Sequence, residues 1–498
     1  MRRYSILPVI ALLAAASCSV SVPDSFTDTD KTLECFPDYA GTIVPSNIAP
    51  LNFAVQASAD KYVTVVESAS GKEIIKGQKV QISQKKWEQI REGGSISFQT
   101  YTRKDGKWTR HPAFTVTTAE EIDPYISYRL IPPLIESYER LTINQRDLTS
   151  FDEKVIYENS LVQENDNGQC INCHHFRNYR TDNMQFHARQ YMGCTLLVTD
   201  GNMKKINLKT DSTLSAGVYP AWNPVYDYIA YSTNKTHQSL HTSDQNHIEV
   251  LDVESDLILY DVKGNAVSMI ENGKNDFECF PAWTPDGKTL YYVSAHFEPD
   301  STSARPHDDQ VFLSSRDIRY NLYRKAFNPE NRSWGESELV FNAESLGQSV
   351  TLPRVSPDGR YLMMAIAEYG IFHIWHRTSQ LAMIDLQTGE FRELDELNSP
   401  DVESYHSWSS NGHWIIFSTR REDREYTRLY ISHFNPDGTF SKPFALPQKD
   451  PSFNKDFLLS FNIPEFMVEP VSIPAREFAS FIKENETGTV SFEHKHTF

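Results

Sequence analysis

The stretch FPAWTPDGKTLYYVS at residues 280–294 decides the fold, because three other stretches repeat it. These are YPAWNPVYDYIAYS (219–232), LPRVSPDGRYLMMA (352–365) and YHSWSSNGHWIIFS (405–418). Each carries an aromatic or aliphatic start, a polar turn that usually holds Pro and Asp-Gly or Asn-Gly, and then an apolar run. Asp-Gly and Asn-Gly supply the positive φ angles of a tight hairpin, and an apolar run without alternation suits a strand buried on both faces. A second strand pair follows each unit, with turns at Lys263-Gly264-Asn265, Asn328-Pro329-Glu330-Asn331, Gln387-Thr388-Gly389-Glu390 and Asn435-Pro436-Asp437-Gly438. Four strands per repeat, at intervals of roughly 50 to 70 residues, is the arithmetic of a β-propeller blade.

The repeats resemble the WD40-like (PD40) repeats of the TolB-like propeller family, which share an apolar-x-Trp-Ser-Pro-Asp-Gly pattern. The resemblance covers residues 184–467, and the first copy departs from it with Val225-Tyr226 in place of Asp-Gly. Strand-like residues 194–199 and 204–208 precede the first full unit, and residues 457–467 follow the last. Joining these would complete a blade and close the ring between the two chain ends. About six blades are expected, with five or seven as alternatives.

Residues 36–125 read as a small Ig-like β-sandwich. Segments 52–55, 62–67, 95–102 and 113–117 alternate apolar and polar residues, and Asp105-Gly106 marks a hairpin. One helix is expected at residues 84–91, with Trp87 and Ile90 on one face. Residues 126–183 read as a connector, with a helix near 134–141 and irregular chain at 149–159, and residues 468–498 as a tail. The chain is thus expected to be all-β.

The 498 residues are 23% charged and 39% hydrophobic, which is globular chemistry, and the net charge of −18 argues against nucleic acid. Arg2 and Arg3 precede an apolar run at 6–16 that is too short to span a bilayer, so residues 1–18 read as a secretory signal. Ala15-Ala16-Ser17-Cys18 resembles a bacterial lipobox, which implies acylation of Cys18 and a polar tether at 19–35. The expected location is the bacterial cell envelope, membrane-anchored on the periplasmic side or at the cell surface. Cleavage nearby by an ordinary signal peptidase, with Cys18 discarded, is the alternative.

Cys170-Ile171-Asn172-Cys173-His174 is a C-x-x-C-H sequence, which reads as attachment of haem c. Two intervening residues let both thiols reach the vinyl groups on one porphyrin edge, and the following imidazole ligates iron. His174 is then the proximal ligand and Met184 the preferred sixth ligand, with Met192 and His187 nearby. A Cys170–Cys173 disulfide and a zinc half-site are the other readings. The combination of sandwich, one C-x-x-C-H and propeller resembles cytochrome-like exported proteins of Bacteroidetes-type bacteria.

Cys35, Cys194 and Cys279 remain, and Cys194 and Cys279 could pair in an oxidising compartment. His237, His241, His247 and His307-Asp308-Asp309 fall in long inter-strand segments that could rim one mouth of the ring. The sequence has no Gly-x-Ser-x-Gly, His-Glu-x-x-His or P-loop pattern. The expected function is electron transfer or partner binding, with the propeller face docking a protein or glycan. The alternatives are a haem-free scaffold or ligand-binding propeller, and a haem enzyme acting on a small oxidant.

Overall fold

The computed structural model describes residues 21–132, 141–165 and 167–493. The signal segment with Cys18, and most of the expected helix at 134–141, lie outside the described residues.

Six four-stranded sheets form a closed ring. Blade 3 comprises Val218–Trp222, Tyr228–Leu240, Ile248–Asp261 and Ala266–Glu271, and blade 4 comprises Asp276–Trp283, Thr289–His296, Asn321–Asn328 and Glu338–Phe341. Blade 5 comprises Ser349–Val355, Tyr361–Ala367, Gln380–Asp385 and Phe391–Glu393, and blade 6 comprises Glu403–Trp408, Trp414–Thr419, Arg428–His433 and Phe444–Ala445. These four are the blades that the repeats announce.

The other two blades combine chain expected to be connector with the strands expected at 194–208 and 457–467. Blade 2 comprises Gln169–Arg177, Arg180–Gln190, Cys194–Thr199 and Asn202–Asn207. In blade 1, Tyr125–Ile131, Thr142–Asp147 and Glu153–Glu158 supply the outer strands, and Ser460–Met467 returns from the far end of the chain as the inner strand. The ring therefore closes between the chain ends, as expected, but Ser460–Met467 pairs with Tyr125–Ile131 and not with the strands at 194–208. Cys194–Thr199 is paired on both sides within blade 2, and the outer edge of Asn202–Asn207 takes Gly488–Thr489 instead. The six inner strands contact one another in the order of blades 1 to 6 and back to 1.

Every inner strand carries a two-residue bulge against its neighbour. In five of them the first bulged residue has positive φ: Cys173, Tyr219, Phe280, Leu352 and Ile463. Proline follows in four of the five, at 220, 281, 353 and 464. A bulge tolerates proline because the ladder is already interrupted there. His174 stands in the proline position of blade 2.

The N-terminal unit has a seven-stranded sheet and a three-stranded sheet, Cys35–Phe36, Phe53–Val55 and Lys79–Val80. The helix Gln84–Arg91 buries Trp87 and Ile90, as its spacing predicts. The Asp105-Gly106 hairpin joins Ser95–Lys104 to Lys107–Arg110. The unit is not self-contained, since Trp87, Phe53 and Phe98 share one core with Trp414, Ile431 and Phe461 of blades 6 and 1. Part of the expected tether is also structured: Thr27–Asp28 pairs in parallel with the strand Lys107–Arg110.

The tail folds back as well. Ala475–Glu484 is a helix that buries Phe478 and Ile482. Gly488–Thr489 then adds to the outer strand of blade 2, and Ser491–Glu493 to that of blade 3.

Candidate functional site

The C-x-x-C-H sequence lies in the inner strand of blade 2, and its last residues occupy the frame of the blade repeat. Cys173-His174-His175-Phe176 corresponds in register to Tyr219-Pro220-Ala221-Trp222 and to Phe280-Pro281-Ala282-Trp283. Phe176 pairs with Met184 as Trp222 pairs with Ile229 and Trp283 with Leu290. Met184 is therefore core: it is fully buried with Phe186, Leu196 and Val198. The turn after Phe176 is a two-residue hairpin at Asn178-Tyr179, both at positive φ, which replaces the longer Pro-Asp-Gly turn.

The residues as folded do not fit covalent haem. Cys173 is 4% exposed, and the cavity it lines with His174, Tyr219, Phe280, Leu352, Tyr405 and Ile463 is about 30 Å³. That is room for one water and far too little for a porphyrin. The Cys170 thiol accepts a hydrogen bond from Arg189 on the neighbouring strand at 3.3 Å. Cys170, Cys173, Cys194 and Cys279 are all free thiols, so neither pairing considered from the sequence is formed.

His174 is 1% exposed, and among the described residues neither ring nitrogen has a hydrogen bond of good geometry. Burial, against partial opposition from Glu465, lowers its pKa to about 4, so it is neutral at pH 7. Gln185 ties the strand down by donating to the Cys173 carbonyl at 3.0 Å and accepting from the Tyr231 hydroxyl at 2.6 Å.

His175, Ala221, Ala282, Arg354 and Glu465, each one residue beyond the proline position, stand around the axis together with Ser407 of blade 6. All six line an axial pocket of about 250 Å³, with Asn178, Tyr179 and Pro224 among its other lining residues. His175 Nδ1 lies 2.9 Å from Glu465 Oε1, and the Arg354 guanidinium approaches the same oxygen at 3.8 Å. Burial pushes the Glu465 carboxyl up, but His175, His174 and Arg354 more than offset this, and the carboxyl rests below the usual range. Nδ1 is engaged by Glu465, and among the described residues Nε2 of His175 has no hydrogen-bond partner. A carboxylate-oriented imidazole, a cation and a buried carboxylate can together hold a polar ligand through charge-assisted hydrogen bonds.

Of the residues named from sequence, His174 and Cys173 line the axial channel and Met184 does not. His175, Arg354 and Glu465 were missed. Arg354 and Ser407 stand at the alanine position of two visible repeats, and that departure was the available signal. The histidines at the opposite rim are held by packing, with His237 against Phe312 and His307 Nε2 bonded to the Val253 carbonyl.

No protein-family model and no curated protein sequence matches the chain. Among solved structures it is similar to the tricorn protease, at 12% identity and TM-score 0.34, over 79% of this chain and 37% of that one. The chain thus spans little more than a third of that protein. It is also similar to an oligogalacturonate lyase from Vibrio parahaemolyticus, at 12% identity and TM-score 0.31, over 82% of this chain and 99% of that one. A third similar structure is cobalt-substituted Synechocystis apocarotenoid oxygenase, at 11% identity and TM-score 0.38, over 86% and 95% of the two chains. At such TM-scores these likenesses carry no argument, and the propeller rests on the strand pairing itself.

Proposed function

We propose that the protein is a ligand-binding propeller whose axial pocket takes an acidic carbohydrate of about monosaccharide size. The observation that carries this reading is Arg354. Among the described residues its guanidinium makes one ionic approach, at 3.8 Å to Glu465, while facing a pocket of about 250 Å³. A guanidinium placed in this way suits bidentate capture of a carboxylate. His175 and Glu465 offer donor and acceptor groups for hydroxyls, and Ala221 and Ala282 leave room on the other side. In calorimetric titrations against a panel of uronic and sialic acids, Arg354→Ala should weaken binding at least tenfold, with Tm nearly unchanged. Equal binding by wild type and Arg354→Ala, or no binding by either, would remove the reading.

The same proposal places the protein in the cell envelope, anchored through Cys18. The support is the basic start, the apolar run at 6–16 and the small residues before Cys18. Cys18→Ser should shift the protein from the membrane fraction to the soluble one and abolish labelling by a fatty-acid probe. The haem reading has its own check. Protein made alongside a cytochrome c maturation system should show no Soret band.

A further inference from the structure

At the seam between the N-terminal unit and blade 6, three side chains from distant parts of the chain converge: Glu120, His413 and His433. One ligand-type atom of each lies within 4.8 Å of the others. Glu120 follows the strand Phe114–Ala119, His413 sits in the turn before Trp414–Thr419, and His433 ends Arg428–His433.

The scaffold around them is fixed by other bonds. Trp414 Nε1 donates to the Glu120 carbonyl at 3.2 Å, and Asn411 Nδ2 donates to the Glu121 carbonyl at 2.7 Å. The Ser410 amide donates to Asp123 at 2.6 Å. The rings of His413 and His433 lie nearly parallel, 6.3 Å apart at an angle of 6°.

His433 supplies the decisive detail. Its Nδ1 is 3.0 Å from Asn435 Oδ1, and its Nε2 is 2.9 Å from Glu120 Oε2. The Asn435 amide nitrogen donates to Thr439 Oγ1 at 3.0 Å, and Ser441 Oγ donates to Asn435 Oδ1 at 3.3 Å, so the amide presents an acceptor to the ring. Nδ1 therefore donates to the amide, and Nε2 is the ring nitrogen turned toward the carboxylate. His413, Nε2 of His433 and the carboxylate thus converge on one position, which a cation can occupy. A hydrogen bond from the far nitrogen of a metal-bound histidine is the usual outer-shell support.

We infer that Glu120, His413 and His433 form a binding site for a zinc-class divalent cation that clamps the N-terminal unit to the propeller. Two imidazoles and one carboxylate are a zinc donor set, with water completing the tetrahedron. Bonds of about 2.1 Å place ligand atoms about 3.4 Å apart. Glu120 is exposed and His413 half-buried, so both can rotate to close that distance.

The test uses untagged protein stripped with EDTA and titrated with Co²⁺ and Zn²⁺, read by visible absorption and calorimetry. Wild type should bind one equivalent with the intense visible bands of tetrahedral Co²⁺, and Zn²⁺ should raise Tm. His413→Ala should lose that equivalent and Glu120→Gln should bind at least tenfold more weakly, while both keep the metal-free Tm within a few degrees. Absence of binding by wild type, or unchanged affinity and spectrum in both variants, would overturn the inference.

Discussion

The joint between blades 3 and 4 and the joint between blades 2 and 3 solve one problem with different chemistry. At the first, Trp283 Nε1 donates to the Ala221 carbonyl of the preceding blade at 3.0 Å. The turn glycine Gly287 packs on Asn223 of that blade, whose amide donates to the Gly287 carbonyl at 2.9 Å. Blades 4/5 and 5/6 repeat the glycine contact, with Gly359 against Pro285 and Gly412 against Pro357. At the second joint, Trp222 Nε1 is buried without a partner among the described residues, and blade 3 has Val225-Tyr226 where the glycine would be. Polar links take over. Arg177 pairs with Asp227 at 2.8 Å, Asn178 donates to the Pro224 carbonyl at 2.7 Å, and Tyr231 bonds Gln185. A blade can thus keep the repeat geometry after losing most of the repeat sequence, provided side-chain hydrogen bonds replace the tryptophan and the glycine.

The largest effect that can challenge this equivalence comes from the aromatic position. Trp283→Ala should destabilise the protein by about 4 kcal/mol in urea unfolding, and Phe176→Ala by about 3 kcal/mol, since both leave inter-blade cavities. A cost below about 1 kcal/mol for Phe176→Ala would mean that blade 2 does not use the shared frame.

Next comes His174. Its folded pKa of about 4 lies below the unfolded value of about 6.5, so the unfolded chain binds the proton more readily. Stability from this group is complete above pH 6.5 and is lost as pH falls toward 4, by about 3 kcal/mol in total. His174→Pro restores the residue of four other blades and removes the titration. Its pH–stability curve should be flatter across that window, with a change under about 1 kcal/mol at pH 7. A parallel curve would place the acid sensitivity elsewhere.

The smallest effects separate two turns of the regular kind. Gly287 and Gly359 both have positive φ, but a Cβ at 287 would sit 2.3 Å from Asn223 Oδ1, while one at 359 would meet Pro285 at 3.6 Å. Gly287→Ala should therefore cost about 2 kcal/mol and Gly359→Ala about 1, measured as differences in Tm.

Blades 3 to 6 were legible because each is one continuous run with its turn chemistry intact. Blade 1 was not, since Tyr125–Ile131 and Ser460–Met467 carry no hairpin between them and meet only when the ring closes. Blade 2 was hidden by Cys173-His174, whose resemblance to a haem site displaced its reading as a bulge like Tyr219-Pro220. The axial pocket depends on both hidden blades. His175 lies in blade 2 and Glu465 in blade 1, so their 2.9 Å approach follows from ring closure and not from any local pattern.

That late-arriving inner strand also sets a timetable. The three outer strands of blade 1 leave the ribosome early, yet their partner Ser460–Met467 follows roughly 330 residues later. Until then the ring is an open arc with unpaired edges at both ends, and closing so long a loop is entropically slow. A chain cut before Ser460 would lack the latch and present those edges to other molecules. The chain must therefore be kept from its neighbours until Ser460–Met467 is in place.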